Sequence, residues 1–298
     1  MPKVNNNNSD LINEYLEKIK KEKSVSNGTL KTYKNIGESL PFSLLTSQPV
    51  LIKKLKDLYN NPNTLQLYLN MIILVRRFKD HDTDKLIKLR NSLKDDIINL
   101  RKKSLDELDD KLPSYDYIMN ELNNSTKLRY ILNYLILNHG FRNSSVNLKF
   151  VKLLPPVEDR DENYIMIKGK DVLLNINDYK TVSSHGTKEI KIKDDKFRNE
   201  LKSLNLKNDD YLFPKRDKSK VTNTSTFNDK IINHTIDRLG QASLFKIVVK
   251  NTLKNKNFEK LEQLSKDRGT SMEVLLKSYN LFNGHDNNEK EKEKEKED

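Results

Sequence analysis

Three side-chain types that can act on a phosphodiester stand at wide intervals in the second half of this chain. Arg142 lies in Gly140-Phe141-Arg142-Asn143-Ser144-Ser145, just past an apolar run, and Lys180 lies in Asp178-Tyr179-Lys180-Thr181, ahead of the polar stretch Ser183 to Gly186. Arg268-Gly269-Thr270-Ser271 is followed by Tyr279, ten residues beyond its glycine. An arginine's planar fork meets two phosphate oxygens at once and keeps its charge. A lysine of lowered pKa is suited to protonate a leaving alkoxide, and an activated tyrosine hydroxyl can attack to form a covalent intermediate. Each also has an ordinary reading. An arginine after a helix stop is commonly a surface residue, a lysine in a turn is a frequent coincidence among 55 lysines and arginines, and a tyrosine ending an apolar helix commonly packs half-buried.

The elements that would carry these residues can be read from periodicity. From Asp10 to about Leu105 apolar residues recur at i, i+3 and i+4, as in Leu11, Ile12, Tyr15, Leu16 and Ile19, and again over Leu65 to Phe78 and Leu86 to Ile98. Ser26-Asn27-Gly28, Pro41 and Asn61-Pro62-Asn63 punctuate this pattern, which predicts an all-helical first domain over 9–105 after a polar, unstructured 1–8. A charged stretch ending in Leu112-Pro113 predicts a hinge at 106–114, although much of Arg101 to Ser114 could extend the last helix. In the second domain, 115–283, helical spacing over Tyr115 to Leu122 and Lys127 to Asn138, with cap candidates Asn124 and Ser125, gives way to short β-prone runs. Tyr164 to Ile167, Val172 to Ile176 and Ile190 to Ile192 predict a small three-stranded antiparallel sheet, and helical spacing resumes from Phe227. The expected fold class is mainly α with that sheet, α+β, followed by a charged, unstructured tail at 284–298.

Composition narrows the partners. No apolar run approaches the ~18 residues of a membrane span, Met1 to Asp10 has no signal-peptide core, and 33% charged against 35% hydrophobic residues suits a soluble protein. Zero cysteines exclude disulfides and thiolate chemistry and fit a reducing, intracellular location rather than secretion. Formal net charge is +12, and because 284–298 holds seven acids against four lysines, residues 1–283 carry +15. That excess favours a polyanion through counterion release, although a solvated Lys- and Asn-rich surface would have the same composition. None of His81, His139, His185, His234 and His285 has metal-ligand spacing, and no motif calls for a cofactor.

Order and spacing together resemble the tyrosine recombinases, in particular integrases of protist DNA viruses and virophages. The resemblance spans roughly residues 9 to 283, strong in topology and weak in identity. It implies a core-binding domain and a catalytic domain that clamp duplex DNA, assembling as a tetramer if active. It also implies a first catalytic arginine at Arg142, a general-acid lysine at Lys180 in the sheet hairpin, and a nucleophile at Tyr279. In the first domain Ser26-Asn27-Gly28-Thr29 with Tyr33 is similar to the family's helix-opening motif, and Thr64 to Phe78 to its last core-binding helices. DNA contacts are accordingly implied at Thr29, Lys31, Lys34, Arg76 and Arg77.

The chain departs from the pattern at two catalytic slots. The second-arginine slot falls on Phe245, which cannot donate to phosphate, and the accompanying histidine slot on Ala242. Lys246 next to it could lend only a point charge. The later histidine slot falls on Thr270, a single neutral donor. Three readings follow: a working integrase in which Arg142, Lys180 and Tyr279 suffice or another arginine is recruited, with Arg238 the nearest candidate; a non-catalytic DNA-binding protein; or a structural or virion component that keeps the fold alone.

Overall fold

The computed structural model describes residues 6–22, 27–109, 111–179 and 181–279. The chain divides into two compact units, Met1–Lys111 and Leu112–Asp298. The first is all-helical: α1 (Asn6–Glu22), α2 (Asn27–Ser39), α3 (Gln48–Leu58), α4 (Pro62–Phe78) and α5 (Asp84–Asp109). The predicted stripe of α1 is its core face, with Leu11, Ile12, Tyr15 and Ile19 buried against Leu40, Leu69, Ile72 and Val75. Asn61 caps α4, its side-chain oxygen accepting from the amides of Asn63 and Thr64, and Pro62 supplies a first helical residue that needs no N–H partner.

Three sequence expectations change in this unit. Residues 1–8 are not uniformly unstructured: α1 begins at Asn6, and Asn8 is 1% exposed. The Asn8 amide donates to the Phe42 carbonyl at 2.7 Å and accepts from the Leu44 amide at 3.1 Å. The same loop claims Arg76, which is 4% exposed and therefore no phosphate contact. Its guanidinium donates to the carbonyls of Leu44 (2.9 Å), Thr46 (2.8 Å) and Asp82 (3.1 Å), satisfying backbone acceptors that burial would otherwise leave unpaired. Finally, α5 runs through Asp109, so helix occupies the first part of the expected 106–114 hinge, and the units divide between Lys111 and Leu112.

The second unit opens with α6 (Tyr115–Asn124) and α7 (Lys127–His139), followed by a 3₁₀ turn (Asn143–Val146). A sheet of β1 (Lys149–Phe150), β2 (Tyr164–Lys168), β3 (Asp171–Ile176) and β4 (Lys188–Ile192) comes next, with a short helix α8 (Val182–His185) between β3 and β4. The unit closes with α9 (Asp195–Ser203), α10 (Thr224–Ile232), α11 (Gln241–Lys254), α12 (Phe258–Arg268) and α13 (Met272–Tyr279). The three predicted strands pair antiparallel, Ile167 opposite Val172 and Leu174 opposite Ile190. A fourth, β1, pairs parallel to β2. Its two residues are too short to show the alternation by which strands are recognised.

Helix α9 was equally silent in the sequence, because only Phe197 and Leu201 face the core while Asp194 caps it through the Phe197 amide at 2.7 Å. This helix in turn caps α7: Glu200 accepts from the Lys127 amide at 2.6 Å. Neither expected cap residue does so, and Ser125 instead donates back to the Leu122 carbonyl at 2.7 Å. One core joins these layers, with Ile131, Leu135, Phe141, Leu174, Phe197, Phe213, Phe245 and Leu264 buried together.

Arg76 gives a direct test of the first unit. Arg76→Leu strands three backbone carbonyls and should lower stability by about 2–4 kcal/mol in urea unfolding. A variant as stable as wild type would contradict its structural role.

Candidate functional site

The site is built on two helix ends, each closed by a left-handed glycine. Gly140 terminates α7 at φ 62°, and its amide donates to the Ile136 carbonyl at 3.0 Å. A β-carbon there would stand 2.5 Å from Cε2 of Phe245, so both the backbone angle and the close approach of α11 require glycine. The chain then leaves extended at Arg142, which is half-buried and whose Nη1 donates to the Arg268 carbonyl at 2.7 Å.

Gly269 terminates α12 in the same way, at φ 64°. A β-carbon at Gly269 would lie 2.5 Å from the Tyr179 ring, 2.7 Å from Nζ of Lys188 and 2.9 Å from Oγ1 of Thr181. These groups crowd in because the last carbonyls of a helix have no partners within it and carry the negative end of its dipole. Lys188 donates to the carbonyls of Lys266 (2.6 Å) and Asp267 (3.1 Å), and Thr181 donates to that of Gly269 (2.6 Å). With Arg142 on Arg268, four successive carbonyls accept side-chain donors from the loop after α7, the β3–β4 connection and the start of β4, that of Lys266 also accepting from the Gly269 amide at 3.1 Å.

Electrostatics follow from this crowding. Burial pushes the Lys188 ammonium down to about 8, helped by the Arg142 guanidinium and opposed by Asp267. The ammonium also lies 4.4 Å from the centre of the Tyr179 ring. Burial raises the Tyr179 hydroxyl, against the Arg142 charge, and that hydroxyl donates to the Gly186 carbonyl at 2.5 Å. Behind the helix end His139 and Asp267 meet at 2.6 Å, and Gln263 donates to the same carboxylate at 2.6 Å.

Of the residues singled out from sequence, Arg142 stands in this cluster. Lys180 lies outside the described residues, although its neighbours Tyr179 and Thr181 belong to the cluster. Thr270 follows the Gly269 cap and is held through its main chain, its amide on the Ser265 carbonyl (3.1 Å) and its own carbonyl accepting from the Ser265 hydroxyl (2.7 Å). Tyr279 is the last residue of α13, which starts three residues after Gly269. Phe245 is fully buried and Ala242 is exposed in the first turn of α11. Lys246, the neighbour that could lend only a point charge to this slot, is 2% exposed. Arg238 is exposed on a 3₁₀ turn (Ile236–Arg238) before α11. In the first unit Lys31, Lys34 and Arg77 are exposed and Thr29 is half-buried.

Two members of the cluster, Lys188 and Arg268, were not picked out by sequence. Lys188 is one lysine among many at a strand start, and only the fold brings it to the α12 terminus. Arg268 sits inside a quoted motif, yet nothing in its spacing reveals that its guanidinium lies 4.0 Å from the Phe245 ring centre.

No family model and no curated protein matches the chain. Among solved structures it is similar to the crystal structure of XerA recombinase, at 16% identity over 92% of this chain and 94% of that one, with a TM-score of 0.34. So remote a likeness leaves the chemistry of the site to the chain's own residues.

Lys188 carries a pH signature. Its pKa is lower in the fold than in the unfolded chain, so between about pH 8 and 10.5 the unfolded state holds more protons there, and stability rises with pH. Wild type should therefore gain stability relative to Lys188→Met across that window. Parallel pH–stability curves for the two proteins would contradict the assignment.

Proposed function

We propose that this protein binds duplex DNA as a tyrosine-recombinase-type protein whose strand-cleaving chemistry is impaired. The observation that carries this reading is the α12 terminus. Arg142 and Lys188 converge on the turn that leads into the helix of Tyr279, while the place where a second donor would be expected is held by the buried ring of Phe245. Cleavage through a phosphotyrosine needs donors aimed at the non-bridging oxygens as charge develops, and losing one such donor typically costs ~10²- to 10³-fold in rate. Phe245 contributes no donor and Thr270 only one. The positive charge on residues 1–283 supports a phosphate partner, and Lys31, Lys34, Arg77 and Thr29 are the first-unit contacts this reading assigns. Lys180 or Lys188 would be the proton donor in whatever cleavage remains, and a working enzyme would act as a tetramer on DNA.

Two measurements test it together. Affinity for duplex DNA should fall steeply with salt, with a log–log slope of about −0.9 per neutralised phosphate. A nicked suicide duplex should trap little covalent adduct, and Tyr279→Phe should leave affinity near wild type. Abundant adduct that Tyr279→Phe abolishes would show a complete active site, and no binding at low salt would instead favour a structural role.

A further inference from the structure

We propose that Arg268 is a positioning residue that sets the donors of Arg142, through a reciprocal exchange in which each guanidinium holds the other's stretch of main chain. This deepens the reading of Arg142 as a phosphate contact and rests on it. Arg142 Nη1 donates to the Arg268 carbonyl at 2.7 Å, and Arg268 Nη1 donates to the carbonyl of Gly140, two residues before Arg142, also at 2.7 Å. The exchange ties the end of α7 to the end of α12 at two points. Neither bond can be kept if the loop after Gly140 shifts against α12.

Arg268 is itself too enclosed to meet a polyanion, being 8% exposed. A buried cation must be paired and hydrogen-bonded, or its desolvation destabilises the fold. Here the Gly140 carbonyl supplies an acceptor, and the Phe245 face lies 4.0 Å below the guanidinium carbon, offering the negative side of its quadrupole. Phe245 fits at that spot because Gly140 has no side chain to meet its edge. Gly140, Phe245 and Arg268 thus form one junction of three helices. Phenylalanine at this position of α11 is the floor on which an arginine from α12 rests, rather than a simple vacancy. Arg142, by contrast, is only half-buried. The division of labour follows from exposure: Arg268 orients and Arg142 contacts.

The test compares full-length wild type, Arg142→Gln, Arg268→Gln, Arg268→Lys and the double glutamine variant, in DNA titrations over a range of salt and in thermal melts. Arg142→Gln should weaken binding roughly tenfold and reduce the salt slope by about 0.9. Arg268→Gln, assayed well below its melting temperature, should reproduce both changes, and the double variant should bind no more weakly than Arg142→Gln alone. Arg268→Lys, which keeps a charge over the ring but not the fork, should fall between, and it decides the matter if the glutamine variant does not fold. An Arg268 of purely structural importance would lower the melting temperature while the folded variants kept wild-type affinity and slope, and that result overturns the proposal. Wild type without DNA binding, or Arg142→Gln indistinguishable from wild type, would overturn it together with the reading of Arg142 beneath it.

Discussion

The organisation of the second unit depends on the C-terminus of α12. A helix end leaves its last carbonyls without partners and concentrates the negative pole of the dipole there. In this protein the carbonyls of Lys266, Asp267, Arg268 and Gly269 are satisfied by Lys188, Arg142 and Thr181, which come from segments 78 to 126 residues away in sequence. Gly269 is required because those partners leave no space for a β-carbon. A need that every helix has is met here by two cations and a threonine hydroxyl, and the two cations are thereby gathered on one turn.

That arrangement has consequences in both directions. Gathering Arg142 and Lys188 at one place depresses the Lys188 pKa, since burial and the neighbouring guanidinium both disfavour its charge. It also commits donors of both side chains to main-chain acceptors. The same cations that suit a phosphate are therefore structural members of the turn, and their geometry is set by packing as much as by any ligand. The buried ring of Phe245 packs between the two helix ends, against Gly140 and under the Arg268 guanidinium.

The first unit solves a comparable problem with different residues. Its loop around Leu40 to Thr46 buries backbone groups beneath two helices, and Asn8 and Arg76 satisfy them from α1 and α4. Arg76 stands beside the exposed Arg77 in sequence, so the two are indistinguishable by type and only one is available to a partner. In both units an arginine near a helix end is recruited by the nearest unsatisfied carbonyls.

What the chain settles by itself is the part carried by period and punctuation. The helical first unit, the antiparallel strands around Gly169 and the α7 stop at Gly140 were legible because each depends on neighbours within a few residues. The spacing of Arg142, Gly269 and Tyr279, and the presence of Phe245 and Thr270, are likewise given by the sequence, but their roles are not. Tertiary structure alone decided β1, whose two residues show no alternation, and α9, whose core face is one apolar pair. It alone separated buried Arg76 from exposed Arg77, brought Lys188 to the α12 terminus and laid Arg268 on Phe245. The physical reason is common to these cases: which cation meets which carbonyl is fixed by contacts between residues distant along the chain, and residue type and local spacing do not encode those distances.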